Sequence, residues 1–417
     1  MRVWRRAAMR RLGPSYNGLL TAYTISNVGN GVLLAALPLL VATSTRNPVA
    51  ISGLMVAAGL PWLLIGPISG AIVDRVDRRS AMVLAEVGRA AVLGAAVFYV
   101  FGGGDSIVAL YALLFVVGVG ETFFDAAGLA LVPVLVTPVQ LDTANSRLFG
   151  AETLAHRFVG PPLGGWLFAF AAWAPLGVDA LSFLAAALVV LWLPKGAPRK
   201  VSEHPSRGLL AETIEGLRWV WRDSVLRAFV VATGVLHFAT GAALSVLVLI
   251  AQDRFQLTGL GFGLTISALA VGFALGYIAA PRVAMKFSRA KMCVTSLLGA
   301  AVGFLMVAGA SVPLIGWLGL AVAGVFAAQS AVVSISYRQA GVPDRILGRV
   351  MAGFLFVGHG ATPIGALVGG LVAAWAGVGY SYVAAALSLA VAAPYLWVVL
   401  KDAELDPGRL LGDSPES

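Results

Sequence analysis

The stretch Gly70-Ala71-Ile72-Val73-Asp74-Arg75-Val76-Asp77-Arg78-Arg79 separates two long apolar runs, at about 48–72 and 80–102. Five of the six residues from Asp74 to Arg79 are charged. A single charge at the centre of a spanning helix costs about 2.5–3.5 kcal/mol even on the lenient insertion scale. Five in close succession are excluded from hydrocarbon. The segment is therefore expected to be a tight turn at a membrane surface, and its three arginines place that surface in the cytoplasm. Gly70, four residues after Gly66, lets a neighbouring helix come close just before the turn.

The rest of the chain has the same character. Of 417 residues, 59% are hydrophobic and 12% charged, about half the charged fraction that covers a soluble surface. Apolar runs at about 17–43, 48–72, 80–102, 106–136, 143–172, 174–194, 225–251, 259–281, 291–310, 312–337, 345–375 and 378–400 are each long enough for the about 20 residues a crossing needs. The run at 17–43 follows a basic start but is too long for a signal core, so it is expected as a retained first span. The predicted fold is an all-α membrane protein with twelve transmembrane helices, which makes the lipid bilayer its first partner.

The basic residues test this topology. With the N-terminus inside, twenty-five of the twenty-nine Lys and Arg residues fall in inner segments. Only Arg46 and Arg254 fall in outer loops, while Arg89 and Arg157 lie within spans. That asymmetry predicts cytoplasmic N- and C-termini in a cell (inner or plasma) membrane. The net charge of +9 is thus topology. It is dispersed among short loops rather than gathered on one face, so no nucleic-acid partner is expected. One cysteine, Cys293, excludes an intrachain disulfide, and the scattered histidines have no ligand spacing. No metal site, no cofactor and no enzymatic activity are expected. No phosphate-binding, nucleophile-elbow or dinucleotide motif appears.

Residues 195–224 are polar and divide the chain into two halves. The expected domains are 1–194, a six-helix bundle; 195–224, a cytoplasmic middle loop; 225–400, a second six-helix bundle; and 401–417, a cytoplasmic tail. In the loop, Leu210, Ile214, Leu217 and Trp221 recur at helical spacing. This predicts an amphipathic helix, either lying on the inner leaflet or serving only as a linker. The halves read as a degenerate repeat. Asp142, Arg147 and Pro161 are matched by Asp344, Arg349 and Pro363, and each set is followed by a glycine pair.

Several polar residues interrupt the spans. Glu121 and Asp125 stand one helical turn apart in the fourth span. Two carboxylates so close in a low dielectric do not both ionise without paired cations. They are candidates for a proton site or for a gate network with Arg147 or Arg157. In the fifth span Asn145, Phe149, Glu152 and His156 form a stripe at helical spacing, and Glu152 is a further candidate for proton coupling or the gate. Asn27, Asn30, His156, His237 and His359 are candidates to line a cavity, because intramembrane polar groups face a bundle interior by default. Glu86 and Arg89 are expected to pair near the inner end of the third span, or to meet the charged turn. Asp179 in the sixth span is expected near the outer face, solvated.

The pattern Gly70, Asp74, Arg75, Arg78, Arg79 resembles the signature loop of the major facilitator superfamily, Gly-x-x-x-Asp-Arg-x-Gly-Arg-Arg/Lys, with Asp77 where that pattern has glycine. Gly160-Pro161-Pro162-Leu163-Gly164-Gly165 resembles the antiporter motif of drug-exporting facilitators. The stretch from Gly118 to Gly165 is similar to actinobacterial drug, macrolide and siderophore exporters. Such relatives often carry Gly-Asp-Gly in the first span where this chain has Gly29-Asn30-Gly31. The resemblance implies two pseudo-symmetric six-helix bundles, with substrate bound between them near the midplane. It also implies alternating access by a monomer that exports a small amphipathic or hydrophobic compound against protons. One charge moved down 100 mV supplies about 2.3 kcal/mol. Uptake of a small metabolite, or a non-transporting receptor or scaffold, are the alternatives.

Overall fold

The computed structural model describes residues 12–73, 75–193 and 209–401, and among them every regular element is helical. The helices, in chain order, are α1 (Pro14–Ser44), α2 (Pro48–Leu64), α3 (Gly66–Val73), α4 (Arg78–Phe101), α5 (Ile107–Leu135), α6 (Leu141–Glu152), α7 (Gly160–Phe170), α8 (Ala174–Leu191), α9 (Leu209–Arg222), α10 (Ser224–Leu244), α11 (Leu247–Leu249), α12 (Leu260–Ala284), α13 (Arg289–Gly309), α14 (Pro313–Gly341), α15 (Asp344–Ala376) and α16 (Val378–Lys401).

Among the described residues, ten segments are long and apolar enough to cross a membrane; one of them, Ser224–Arg254, runs through α10, α11 and a π-helical turn at Ile250–Arg254. The second and fifth spans are broken, and prolines account for both breaks. In the second, α2 ends at Leu64 and α3 starts at Gly66, ahead of Pro67, which offers no amide hydrogen to the turn before it. In the fifth, residues Thr153–Val159 form a π-helical turn between α6 and α7. Pro161 and Pro162 open α7 and withhold the two donors that the carbonyls of Arg157 and Phe158 would use in an α-helix. The backbone lengthens its ring, and the Gly160 amide reaches Ala155. Counting these two broken spans gives the twelve-span, two-bundle architecture.

By Cα proximity the described residues gather into two compact units. One draws on Met1–Ser44, Leu60–Pro205 and Leu257–Ser267, and the other on Thr45–Gly59, Ser206–Gln256 and Ala268–Ser417. The first holds an apolar cluster in which Tyr16, Met82, Phe124, Leu131, Leu148 and Val190 are buried. The Tyr16 hydroxyl donates to the Ala144 carbonyl at 2.6 Å. In the second unit Phe304 and Tyr382 meet edge to face, and Phe229 packs on Tyr337.

Between apolar helices in lipid, close packing replaces hydrophobic drive, so glycine marks the contacts. In the first unit a Cβ on Gly164 would stand 2.1 Å from the Val32 carbonyl oxygen of α1. In the second unit a Cβ on Gly365 would stand 2.0 Å from the Phe238 carbonyl oxygen of α10. Each unit repeats a further contact. A Cβ on Gly263 would meet the Pro161 carbonyl oxygen at 2.2 Å, and one on Gly59 would meet the Pro363 ring at 2.7 Å. The matching prolines of the fifth and eleventh spans are thus each approached by a glycine of another helix, Pro161 at its carbonyl oxygen and Pro363 at its ring. This is the sequence repeat made physical.

Candidate functional site

Gly29, Arg89 and Glu121 stand at or within one residue of the middle of α1, α4 and α5. Around them lies a polar cluster. Arg89 and Glu86 form an ion pair at 3.0 Å, with side chains 1% and 0% exposed. The spacing is one helical turn, as read from the sequence, but the pair sits in mid-helix rather than near the inner end. Ser26 of α1 donates to the same Glu86 oxygen at 3.1 Å. The second guanidinium arm of Arg89 donates to the side-chain Oδ1 of Asn30. The Asn30 amide in turn donates to Glu121 at 3.1 Å. Gly120 leaves space for Arg89, since a Cβ there would sit 2.5 Å from its Cγ. The guanidinium lies 3.7 Å from the centre of the Phe183 ring of α8, a cation–π contact that offsets part of its desolvation.

Asp179 belongs to this cluster, which corrects the expectation that it is solvated near the outer face. It is 0% exposed. Its Oδ1 accepts from Ser182 at 3.0 Å, and its Oδ2 has no hydrogen-bond partner. A Cβ on Gly29 would lie 1.8 Å from Oδ1, so only glycine at 29 leaves room for the acid. An acid among small and apolar residues in a span was the available signal, but its depth could not be read from one helix.

The other candidates are placed as follows. Asp125 and Glu121 are half-buried on one face of α5, and the Tyr23 hydroxyl donates to the Asp125 carbonyl at 3.2 Å. Glu152 and His156 are half-buried, while Arg147 and Arg157 are exposed. Arg157 acts electrostatically on Glu152. The π turn begins directly after Glu152, so His156 does not continue the α-helical stripe through Asn145 and Phe149. Asn27 is buried and its amide donates to its own helix, at the Tyr23 carbonyl. In the other unit His237 and His359 are exposed, and the His237 ring packs on Gly358, beside His359.

The charged turn is built to hold helix ends. Asp77 N-caps α4, accepting from the Ser80 amide at 2.9 Å and its hydroxyl at 2.6 Å. This explains the departure from glycine at that position: an aspartate cap satisfies a free amide of the helix start. Arg78 donates to the Ala130 carbonyl of α5 at 3.0 Å, and Arg79 to the Leu191 carbonyl at the end of α8. Arg75 is exposed, Gly70 lies in α3, and Asp74 falls outside the described residues. Arg349, the repeat counterpart of Arg147, pairs with Glu215 of α9 at 2.8 Å.

The segment Gly160 to Gly165 makes a chain of backbone contacts. A Cβ on Gly160 would lie 2.5 Å from the Gly31 Cα, and one on Gly165 would lie 2.1 Å from the Gly259 carbonyl oxygen. Ser267 of α12 donates at 3.0 Å to the Phe158 carbonyl, the one that Pro162 leaves without a donor.

With this geometry, the family described as transmembrane secretion effector, a branch of the major facilitator superfamily, matches residues 13–406. The chain belongs to that family. It is a transporter, not an enzyme. The transporter is 28% identical over 389 residues to the multidrug efflux pump Tap of Mycolicibacterium fortuitum, covering 89% of this chain and 92% of that one. It is 26% identical over 345 residues to the enterobactin exporter EntS of Escherichia coli, covering 81% and 80%. Its fold matches the crystal structure of the nucleoside transporter NupG (D323A mutant), with a TM-score of 0.77 at 12% identity over 92% of this chain and 99% of that one.

Proposed function

We propose that the transporter is a proton-coupled antiporter, working by alternating access, that exports a small amphipathic or hydrophobic compound. The observation that carries the reading is the mid-span cluster of Glu86, Arg89, Asn30 and Glu121. Intramembrane ionisable groups are costly and mark ion and proton pathways. Here one guanidinium is shared among carboxylates on two helices through an amide, so adding or removing one proton changes its best partner. The scarcity of charge elsewhere in the spans favours a largely apolar substrate. Efflux is supported by the relatives named for multidrug efflux and enterobactin export. The antiporter-like segment Gly160–Gly165 supports it too, as a close helix contact. The charged turn is read as cytoplasmic, with both termini on the same side, and the protein as a monomer.

The test is ethidium flux in proteoliposomes under an imposed proton gradient. Export predicts ethidium movement opposite to the proton flow, and proton movement when ethidium is supplied without a gradient. Accumulation in the direction of proton flow would instead establish uptake.

A further inference from the structure

We propose that Asp179 carries the coupled proton and that Arg89 is the cation that replaces it. This rests on the proton-coupled reading above and names the group that performs it. Three observations on the cluster single out Asp179. Glu86 has a cation in contact, and Glu121 accepts from an amide that also touches Arg89. Asp179 has only the hydroxyl of Ser182, one turn along its own helix. Both Glu86 and Asp179 are 0% exposed with one unpartnered oxygen, but among the described residues only Glu86 of the two forms an ion pair, so Asp179 is the one without a counter-ion. A bare carboxylate in that position is the costly form, because an uncompensated buried charge lacks both water and a counter-ion. The arrangement fits the neutral acid.

The cation that could stabilise the deprotonated form is already near. Arg89 is stacked on Phe183, four residues beyond Asp179 on the same face of α8. Four residues span about 6 Å of helix, within the swing of an arginine side chain. Arg89, Glu86 and Glu121 are the charged groups that act on Asp179 from α4 and α5. From α1, Gly29 presents no side chain and Asn30 already holds Arg89. In the proposed step the Oδ2–H bond breaks and the proton leaves to water. The guanidinium then moves from Glu86 towards Asp179, loosening the Ser26, Asn30 and Glu86 bonds that tie α1 to α4. Reprotonation returns Arg89 to Glu86. A single proton would thereby change the contacts between the first, third and sixth spans.

Infrared difference spectroscopy of the purified full chain in liposomes, recorded across pH, reads protonated carboxyl groups without any substrate. The wild type should show a titrating carboxylic C=O band that is lost in Asp179→Asn and moved in Asp179→Glu. Ser182→Ala keeps the acid but removes its hydrogen bond, so it should move the same band, and it decides the matter if Asp179→Asn fails to fold. In parallel, gradient-driven ethidium flux should be lost in Asp179→Asn while downhill ethidium exchange persists. Identical titrating bands in wild type, Asp179→Asn and Ser182→Ala overturn the assignment to Asp179. A wild type whose ethidium flux ignores the gradient overturns the proton-coupled reading itself. A gradient-sensitive Asp179→Asn overturns only the role of Asp179.

Discussion

Ser267 donates its hydroxyl hydrogen to the carbonyl oxygen of Phe158 at 3.0 Å, the carbonyl deprived of its helical donor by Pro162. The same hydroxyl lies 3.2 Å from the Gly263 carbonyl of its own helix, so the proline motif and α12 share one proton. Ser267→Ala should leave the Phe158 carbonyl unpaired, at a cost of about 1–3 kcal/mol. Ser267→Thr, which keeps the hydroxyl, should cost much less. Thermal unfolding of the purified protein in detergent checks this. Equal melting temperatures for Ala and Thr would show that the bond contributes nothing.

Glycine contacts should separate sharply from open glycines. A Cβ on Gly164 meets backbone at 2.1 Å, whereas one on Gly150 meets nothing within 4 Å. Gly150→Ala should be neutral or stabilising by up to about 1 kcal/mol, since alanine is the better helix former. Gly164→Ala should cost about 1–3 kcal/mol through overpacking, and Gly164→Leu should part α7 from α1 and open a proton leak. Melting temperature and passive proton flux in vesicles, measured on the same preparations, check both halves of the expectation.

Arg89 should not be replaceable by lysine. Its planar fork bonds Glu86, Ser26 and Asn30 while stacking on Phe183, and a single ammonium reproduces neither the fork nor the stack. Arg89→Ala leaves Glu86 buried and unpaired, an expected loss of about 3–5 kcal/mol. Adding Glu86→Gln should recover a large part of it. A double variant no more stable than Arg89→Ala would mean that the lost packing, not the stranded charge, is what matters.

At the charged turn, Asp77→Ala should lower stability by about 0.5–2 kcal/mol through loss of the α4 cap, while Asp77→Gly should cost only a few tenths. The glycine variant also restores the superfamily's pattern at this position. Comparing urea or thermal midpoints of Ala, Gly and Ser at 77 tests whether capping explains the aspartate. A ranking with Gly below Ala would reject it.

The α9 helix should depend more on shape than on charge. Glu215 and Arg349 are 41% and 37% exposed, so their pair is expected to contribute less than about 1 kcal/mol and to weaken with salt. A Cβ on Gly216, by contrast, would sit 2.0 Å from the Arg349 carbonyl oxygen, and Leu217 borders Gly353. Gly216→Val should therefore release α9 from α15, seen as faster proteolysis within 209–222, whereas Glu215→Ala should leave the cleavage rate nearly unchanged.

Features that add up locally along the chain are legible in the residues alone. Charge at 74–79 and apolar runs of sufficient length specify the number of spans. The i, i+3 spacing of Glu86 and Arg89 specifies their pairing. Glycine beside proline in the fifth and eleventh spans marks where backbones meet, and the offset between them marks the repeat. Which faces meet is set by packing in three dimensions. A helix that is apolar all round has no polar side to fix its rotation, so the burial of Asp179 could not be read from α8 alone. It follows from Gly29 on another helix having no side chain. The π turn at Thr153–Val159 shifts the register of the fifth span in a way a regular period cannot express. The partners of Arg349, Phe158 and Asn30 are likewise chosen by neighbours distant in sequence, because in lipid a polar group takes whichever partner packing brings within reach.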